Sequence, residues 1–286
     1  MKYSFIATEG IQDVAFISKI LKNLGFDRER YKRIIEDPLY EYPDTKQDTR
    51  ILVNEFWHNL FPKSFPASKD GDFTRGVPLP WFWSNKQNCV AVQGLGGLHK
   101  FINQFRLTLS QISLTDVFSI GIILDADSNM PPADRFANFL QDVRRDITGI
   151  PPLPDSLSLP KTLGAIVGDA PKTGAFIFPD NTNFGTVEDL LLDCADKVYP
   201  NIKEHVGIFV KSENEWSADL DKDEGKEYRK PAGKQKLTVA GISSVMKPGR
   251  AVQNTIEDHR WLCDETMSTR RVQGFVDFLK TLLDMQ

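Results

Sequence analysis

The stretch Ile120-Gly-Ile-Ile-Leu-Asp-Ala-Asp-Ser-Asn129 constrains the fold of this chain more than any other. A run of strand-forming apolar residues ends there in two carboxylates one residue apart, and on an extended strand side chains i and i+2 share a face. Asp125 and Asp127 are therefore expected to converge just past a strand's carboxyl end. Two anionic oxygen donors held that close repel each other unless a cation sits between them, and Mg²⁺ is the usual occupant of such a hard-oxygen site. The competing reading is that Asp127 only opens a turn and caps the next helix. The other acids of the chain bear on the choice.

Tyr3-Ser-Phe-Ile-Ala-Thr8 reads as a strand, Glu9-Gly10 as a turn, and Val14, Ile17, Leu21 and Leu24 as the apolar stripe of a helix. This is the opening of an α/β unit, with Glu9 at the strand's carboxyl end. Asp13 lies one turn further on, on the same helix face; both acids would equally complement the dipole at the helix amino end. Cys89–Gln93 is the second strand, and Gly94-Leu-Gly-Gly97 turns it into a helix carrying Leu98, Phe101, Phe105 and Leu109. That turn lacks both the Walker spacing and the full dinucleotide fingerprint, so it is a weak nucleotide signature. His99 behind it reads as a surface or packing residue.

After the Asp-x-Asp strand, Pro131-Pro-Ala-Asp-Arg135 starts a helix expected to run to near Gly149, with Phe136, Phe139, Leu140 and Val143 inward. Residues 163–167 and 174–178 read as two more strands. Thr186-Val-Glu-Asp-Leu-Leu-Leu192 then begins a helix whose first turn holds Glu188 and Asp189. Three strand ends thus deliver acids: Glu9/Asp13, Asp125/Asp127 and Glu188/Asp189. In open, mostly parallel α/β sheets, ligands sit outside the carboxyl ends of the strands.

Residues 27–86 break into short pieces rich in proline and aromatics, among them Tyr40-Glu-Tyr-Pro43, and are too long for a crossover, so they read as an insertion after the first helix. Within it 51–60 reads as a helix. Trp81-Phe82-Trp83 reads as packing the insertion onto the sheet, with base stacking as the alternative. Residues 211–236 mix charges as a solvated loop does; the apolar run Leu237–Ile242 follows. Phe275, Phe278, Leu279 and Leu282 make a terminal amphipathic helix that packs on the core or on a partner protein. The 286 residues accordingly divide into an α/β core over 1–195, interrupted by 27–86, and a C-terminal extension over 196–286.

A net charge of -4 speaks against a protein that coats DNA non-specifically but leaves room for a local basic groove. No apolar run is long enough to span a bilayer, and the first residues have the pattern of neither a signal peptide nor an anchor. Cys89, Cys194 and Cys263 are odd in number and far apart, which suits reduced thiols in a cytoplasm.

Taken together, Glu9-Gly-x-x-Asp13, the Gly94–Gly97 turn, Asp125-x-Asp127 and Gly185-Thr-Val-Glu188-Asp189 resemble the ordered elements of the Toprim domain. That fold is shared by topoisomerases, bacterial primases, small ribonuclease-like proteins and the overcoming-lysogenization-defect nucleases. More narrowly, Gly121-Ile-Ile-Leu-Asp-Ala-Asp127 followed by Arg135, with Phe178-Pro-Asp-Asn181 and Gly185-Thr-Val-Glu-Asp-Leu-Leu-Leu192, is similar to a bacterial standalone Toprim-like family of unassigned function. The likeness covers 1–24 and 88–195, and more loosely 234–249; 27–86 lies outside it. It implies a mostly parallel sheet flanked by helices, and Mg²⁺ or Mn²⁺ held by Glu9, Asp125 and Asp127, with Glu9 as general acid or base. It further implies Asp13, Glu188 and Asp189 as additional metal ligands, and a catalytic lysine for which Lys236 and Lys234 are the candidates. The implied function is a metal-dependent nuclease acting on DNA or RNA, in phage defence or nucleic-acid processing. The alternative is a non-catalytic module on the same scaffold that partners another protein, such as an ATPase.

Overall fold

The computed structural model describes residues 1–28, 31–33, 50–52, 80–127 and 130–285. In chain order the principal elements are β1 (Lys2–Thr8), α1 (Ile11–Asn23), β2 (Asp27–Arg28), β3 (Tyr31–Arg33), β4 (Arg50–Leu52), β5 (Trp81–Ser84) and β6 (Asn88–Gly94). There follow α2 (Leu98–Gln111), β7 (Ser119–Asp125), α3 (Pro132–Asp142), β8 (Ile166–Val167), β9 (Lys172–Phe178) and α4 (Val187–Val198). The chain closes with α5 (Pro200–Lys211), α6 (Gly233–Met246), α7 (Val252–Asp258) and α8 (Arg270–Leu282).

The main sheet runs β2-β5-β6-β1-β7-β9-β8, with β3 and β4 paired separately. Its centre is parallel: β1 lies between β6 and β7, and β9 follows β7. Both edges are antiparallel, β2 and β5 on one side and β8 on the other. The architecture is therefore α/β with a mixed, mostly parallel sheet. The central strands are near-continuous apolar runs because helices cover both faces, as parallel strands require. Alternation along β1 shows this directly: Phe5 and Ala7 join one core cluster and Ile6 the other. The first cluster lies under α2 and α3, through Phe101, Phe105, Phe136 and Phe139. The second lies under α1, α4, α6, α7 and α8, through Phe16, Leu190, Ile242, Ile256 and Phe275.

The C-terminal helices are thus half of the core's covering. Gly121 of β7 and Gly174 of β9 are register partners, and α8 rests on the bare backbone they leave. A methyl added to Gly121 would come within 2.9 Å of Leu282, and one added to Gly174 within 3.0 Å of Phe278.

Several expectations change. The strand expected over 163–167 is only Ile166–Val167, and the segment 27–86, read as an insertion packed on the sheet, adds strands to it at its two ends, β2 and β5. A three-residue turn explains the second addition: the Asn85 side-chain oxygen accepts from the backbone N–H groups of Gln87 (2.9 Å) and Asn88 (2.8 Å), folding β5 back on β6. The helix expected over 51–60 begins instead as strand β4, and 53–60 lies outside the described residues, as do Tyr40–Pro43 and the prolines up to Pro78. Finally, α3 stops at Asp142 rather than near Gly149, since the buried Val143 is followed by three exposed charged residues, Arg144, Arg145 and Asp146, with no apolar group to bury. Among the described residues no helix is long and apolar enough to cross a membrane.

Candidate functional site

Parallel strands end on one edge, and the register fixes which residues meet there. Thr8 sits beside Ile123, and Asp125 beside Phe178. Glu9, Asp125 and the loop after Phe178 therefore leave the sheet at one level. Glu9 has its backbone held first: the N–H groups of Gly96 and Gly97 both donate to its carbonyl, at 3.1 and 2.8 Å, and Leu95 N–H donates to Thr8 O at 2.8 Å. The glycine turn is thus occupied in clamping the β1–α1 turn, not in presenting amides to a phosphate. A side chain at Gly94 would meet the Gly10 carbonyl oxygen at 3.1 Å, so the two loops touch through glycine.

The Glu9 carboxylate is buried and tied to β7 and α3. Its Oε1 accepts from Asp125 N–H (3.0 Å) and from Arg135 Nη2 (2.6 Å), while Arg135 Nε donates to the Asp125 carbonyl (3.0 Å). Arg135 is itself buried. One guanidinium thus binds the strand that delivers the Asp-x-Asp pair to the strand end that delivers Glu9. Its presence after the motif is legible in the sequence; its role is not, since nothing local says that a helix residue ten positions on will turn back.

Asp13 is buried at the start of α1, where its Oδ2 accepts from the Thr8 hydroxyl and from Gly10 N–H, both at 2.8 Å. Asp13 therefore caps the helix as well as lining the cleft. Asp125 Oδ1 accepts from Val187 N–H at 3.2 Å, drawing the first turn of α4 toward the acids. Glu188 comes in on that turn, buried, with its Oε2 unpartnered.

Asp127 and Asp189 behave differently. Asp127 adopts a positive φ of 58° and its carbonyl accepts from Gly185 N–H at 2.9 Å, so it does turn the chain; its charge still reaches Glu9 and Asp125. Asp189 Oδ2 accepts from Thr186 N–H at 2.8 Å, which makes it the reciprocal partner in the amino-terminal cap of α4. It is not among the residues lining the cleft, and its expected place as a metal ligand gives way to that capping role.

The cleft these residues enclose has a volume of about 640 Å³, with Glu9, Asp13, Asp125 and Glu188 at its acidic side. Lys236, on α6, lines it. Lys234 does not; it is two residues away on the helix, faces solvent, and pairs with Glu213 at 2.7 Å, which removes it from the candidates. Trp81 of β5 lines another wall, a contribution that the sequence pattern alone assigned to packing.

The electrostatics follow from burying like charges together. Burial pushes Asp13 up to about 7, against the pull of its Thr8 and Gly10 hydrogen bonds. Burial, followed by the neighbouring charges of Asp13, Glu9, Glu188 and Asp127, raises Asp125 well above the carboxylate range. Glu9 is raised by burial too, with Arg135 opposing. Among the described residues no three such groups are already closed around one point as a finished ligand set. The donors are nonetheless hard oxygens, and Glu188 Oε2 is a buried acceptor with nothing to accept. Those features fit a divalent cation of the Mg²⁺ or Mn²⁺ kind.

Comparison with known proteins gives a family model, described as "Protein of unknown function (DUF3226)", that matches residues 3–284. No curated protein matches the chain. Among solved structures it is similar to hypothetical protein PH0156 from Pyrococcus horikoshii OT3, at 15% identity and a TM-score of 0.46, over 99% of this chain and 95% of that one.

Proposed function

The chain belongs to the DUF3226 family, and on the chemistry of its cleft we propose that it is a divalent-metal-dependent phosphodiesterase that cuts nucleic acid. One observation carries the reading: three strand ends bring Glu9, Asp13, Asp125 and Glu188 into a single cleft, where burial first, and then the charges of the other three, raise the pKa of Asp125. Burying carboxylates together makes each harder to ionise, and a bound cation relieves that cost. The order of motifs resembling the Toprim domain supports the same reading.

Asp13, Asp125 and Glu188 would hold the ion; Asp127 is not among the residues lining the cleft. When bound, Mg²⁺ or Mn²⁺ would polarise a phosphate oxygen and lower the pKa of a coordinated water. The chain's own groups would do the rest. Glu9, raised by burial with Arg135 opposing, would exchange a proton with the water or the leaving oxygen. Arg135 would keep Glu9 and the β7 end in register, and Lys236 would meet the negative charge that builds on the phosphate.

The test is a cleavage screen of the purified protein on single- and double-stranded DNA and RNA with Mg²⁺ and Mn²⁺, with Asp125→Asn alongside. Metal-dependent cleavage absent from the variant is expected. No cleavage under any condition, or cleavage equal in the variant, would sink the proposal. One observation favours a second reading, a binding module without turnover: the Arg135–Glu9 pair at 2.6 Å already neutralises one of the acids without any metal. The same screen separates the two, since the module predicts no turnover to lose.

A further inference from the structure

The walls of the cleft point to the form of nucleic acid it takes, an inference that rests on the phosphodiesterase reading. Besides the acids the lining holds apolar groups: Trp81, the exposed Ile11, Ala240 and Val252. Among the described residues Lys236 is the one cation that lines it. A duplex buries its base faces and presents phosphates, so its binding depends on many cationic contacts. An unpaired strand presents base faces as well, and these stack on aromatic side chains. An aromatic ring in the lining can meet the base faces of an unpaired strand, whereas those of a duplex are stacked out of its reach.

Trp81 is built as a platform. It is partly exposed, and β5 holds its backbone against Val92 of β6. The Arg28 guanidinium lies over its ring at 4.1 Å from the centroid and is itself anchored to Glu257 at 3.0 Å. A ring fixed by strand pairing and by a cation stacked on it loses little freedom when a base arrives. Its neighbours Phe82 and Trp83 are buried, and Trp83 Nε1 donates to the Ser18 hydroxyl at 2.9 Å; Trp81 also packs against the core but stays partly exposed where it lines the cleft.

We propose that the cleft binds an unpaired strand, DNA or RNA, with Trp81 stacking on one of its bases. The experiment is fluorescence anisotropy with a labelled oligonucleotide, single-stranded and annealed to its complement, in Ca²⁺. Wild type, Trp81→Phe and Trp81→Leu are compared, with circular dichroism to confirm that all three fold. Wild type should bind the single strand at least about tenfold more tightly than the duplex, and Trp81→Leu should lose about tenfold or more on the single strand only, the size expected for one stacked base. Trp81→Phe should retain most of the affinity.

Equal or tighter duplex binding overturns the proposal, as does single-strand affinity unchanged in Trp81→Leu, or no binding of any strand. Displacement of the oligonucleotide by a mononucleotide at equal concentration overturns it too, in favour of a small nucleotide ligand. If single-strand binding shows the Trp81 signature but no metal supports cleavage, the phosphodiesterase reading fails and the stacking site stands. If duplex is cut without discrimination, the reverse holds.

Discussion

Asp13→Asn isolates the cost of keeping acids together in the cleft. The change preserves size and an oxygen able to accept from Thr8 and Gly10, and it removes one titration. Burial raises Asp13 from 3.8 to about 7, so its proton is bound more tightly in the folded chain than in the unfolded one. For a group with that sign, stability is at its full value below the unfolded pKa and falls as pH climbs toward the folded one. At about 1.36 kcal/mol per unit, the penalty approaches roughly 4 kcal/mol above neutrality. Asp13 also raises Asp125, so removing it eases that ionisation, with the same sign. Wild type and Asp13→Asn should therefore unfold at similar urea concentrations near pH 4, and in EDTA the variant should be the more stable by a few kcal/mol near pH 8. Because the two proteins differ at one site, pH effects from groups that do not feel Asp13 cancel in the difference. Saturating Mg²⁺ or Mn²⁺ should reverse the order, as wild type gains binding energy that the variant largely lacks. A stability difference that does not change with pH in EDTA, or one that favours wild type as pH rises, would refute the electrostatic account of the cleft.

Four other outcomes are expected. Millimolar Mn²⁺ should raise the melting temperature of wild type, by about 2–4 °C per kcal/mol of linkage for a chain of this size, and leave Asp125→Asn unmoved in a thermal scan. Arg135→Gln strands the buried Glu9 carboxylate and should cost about 3–5 kcal/mol in urea unfolding near pH 7, with part of the loss recovered when Glu9→Gln is added; equal losses in the single and double variants would deny the pair. Gly121→Val drives a side chain into Leu282 and should cost about 1–3 kcal/mol, read by chemical denaturation; a neutral result would mean that α8 is not seated on the sheet. Lys236→Ala should lower the cleavage rate at saturating substrate by tenfold or more while Lys234→Ala leaves it within about twofold, and equal effects would remove Lys236 from the cleft's chemistry.

Some of this was readable in the chain itself. Continuous apolar runs and period-3.6 patterns announce β1, β6, β7 and β9 and the helices that follow them, because burial of both faces of a strand, or of one face of a helix, imposes those patterns whatever the partner. The acids are legible for the same reason: a carboxylate right after a buried strand lies at a sheet edge, and three such strands in a parallel arrangement place Glu9, Asp125 and Glu188 on the same edge. Only the tertiary structure decided which acids serve the cleft and which serve the chain. Asp13, Glu188 and Asp189 all occupy first turns of helices; Asp189 lies outside the cleft and is spent on Thr186 N–H, while Asp13 does both tasks. Lys234 and Lys236 are two positions apart on one helix, which turns them about 200° from each other. Arg135 and Trp81 are further cases, because their partners, Glu9 and the cleft wall, are 126 residues away for the first and on another strand for the second. Local spacing fixes what a residue does within its own element; contacts across the chain exist only once the elements pack, and a site made from three strand ends, a helix and an edge strand consists mostly of such contacts.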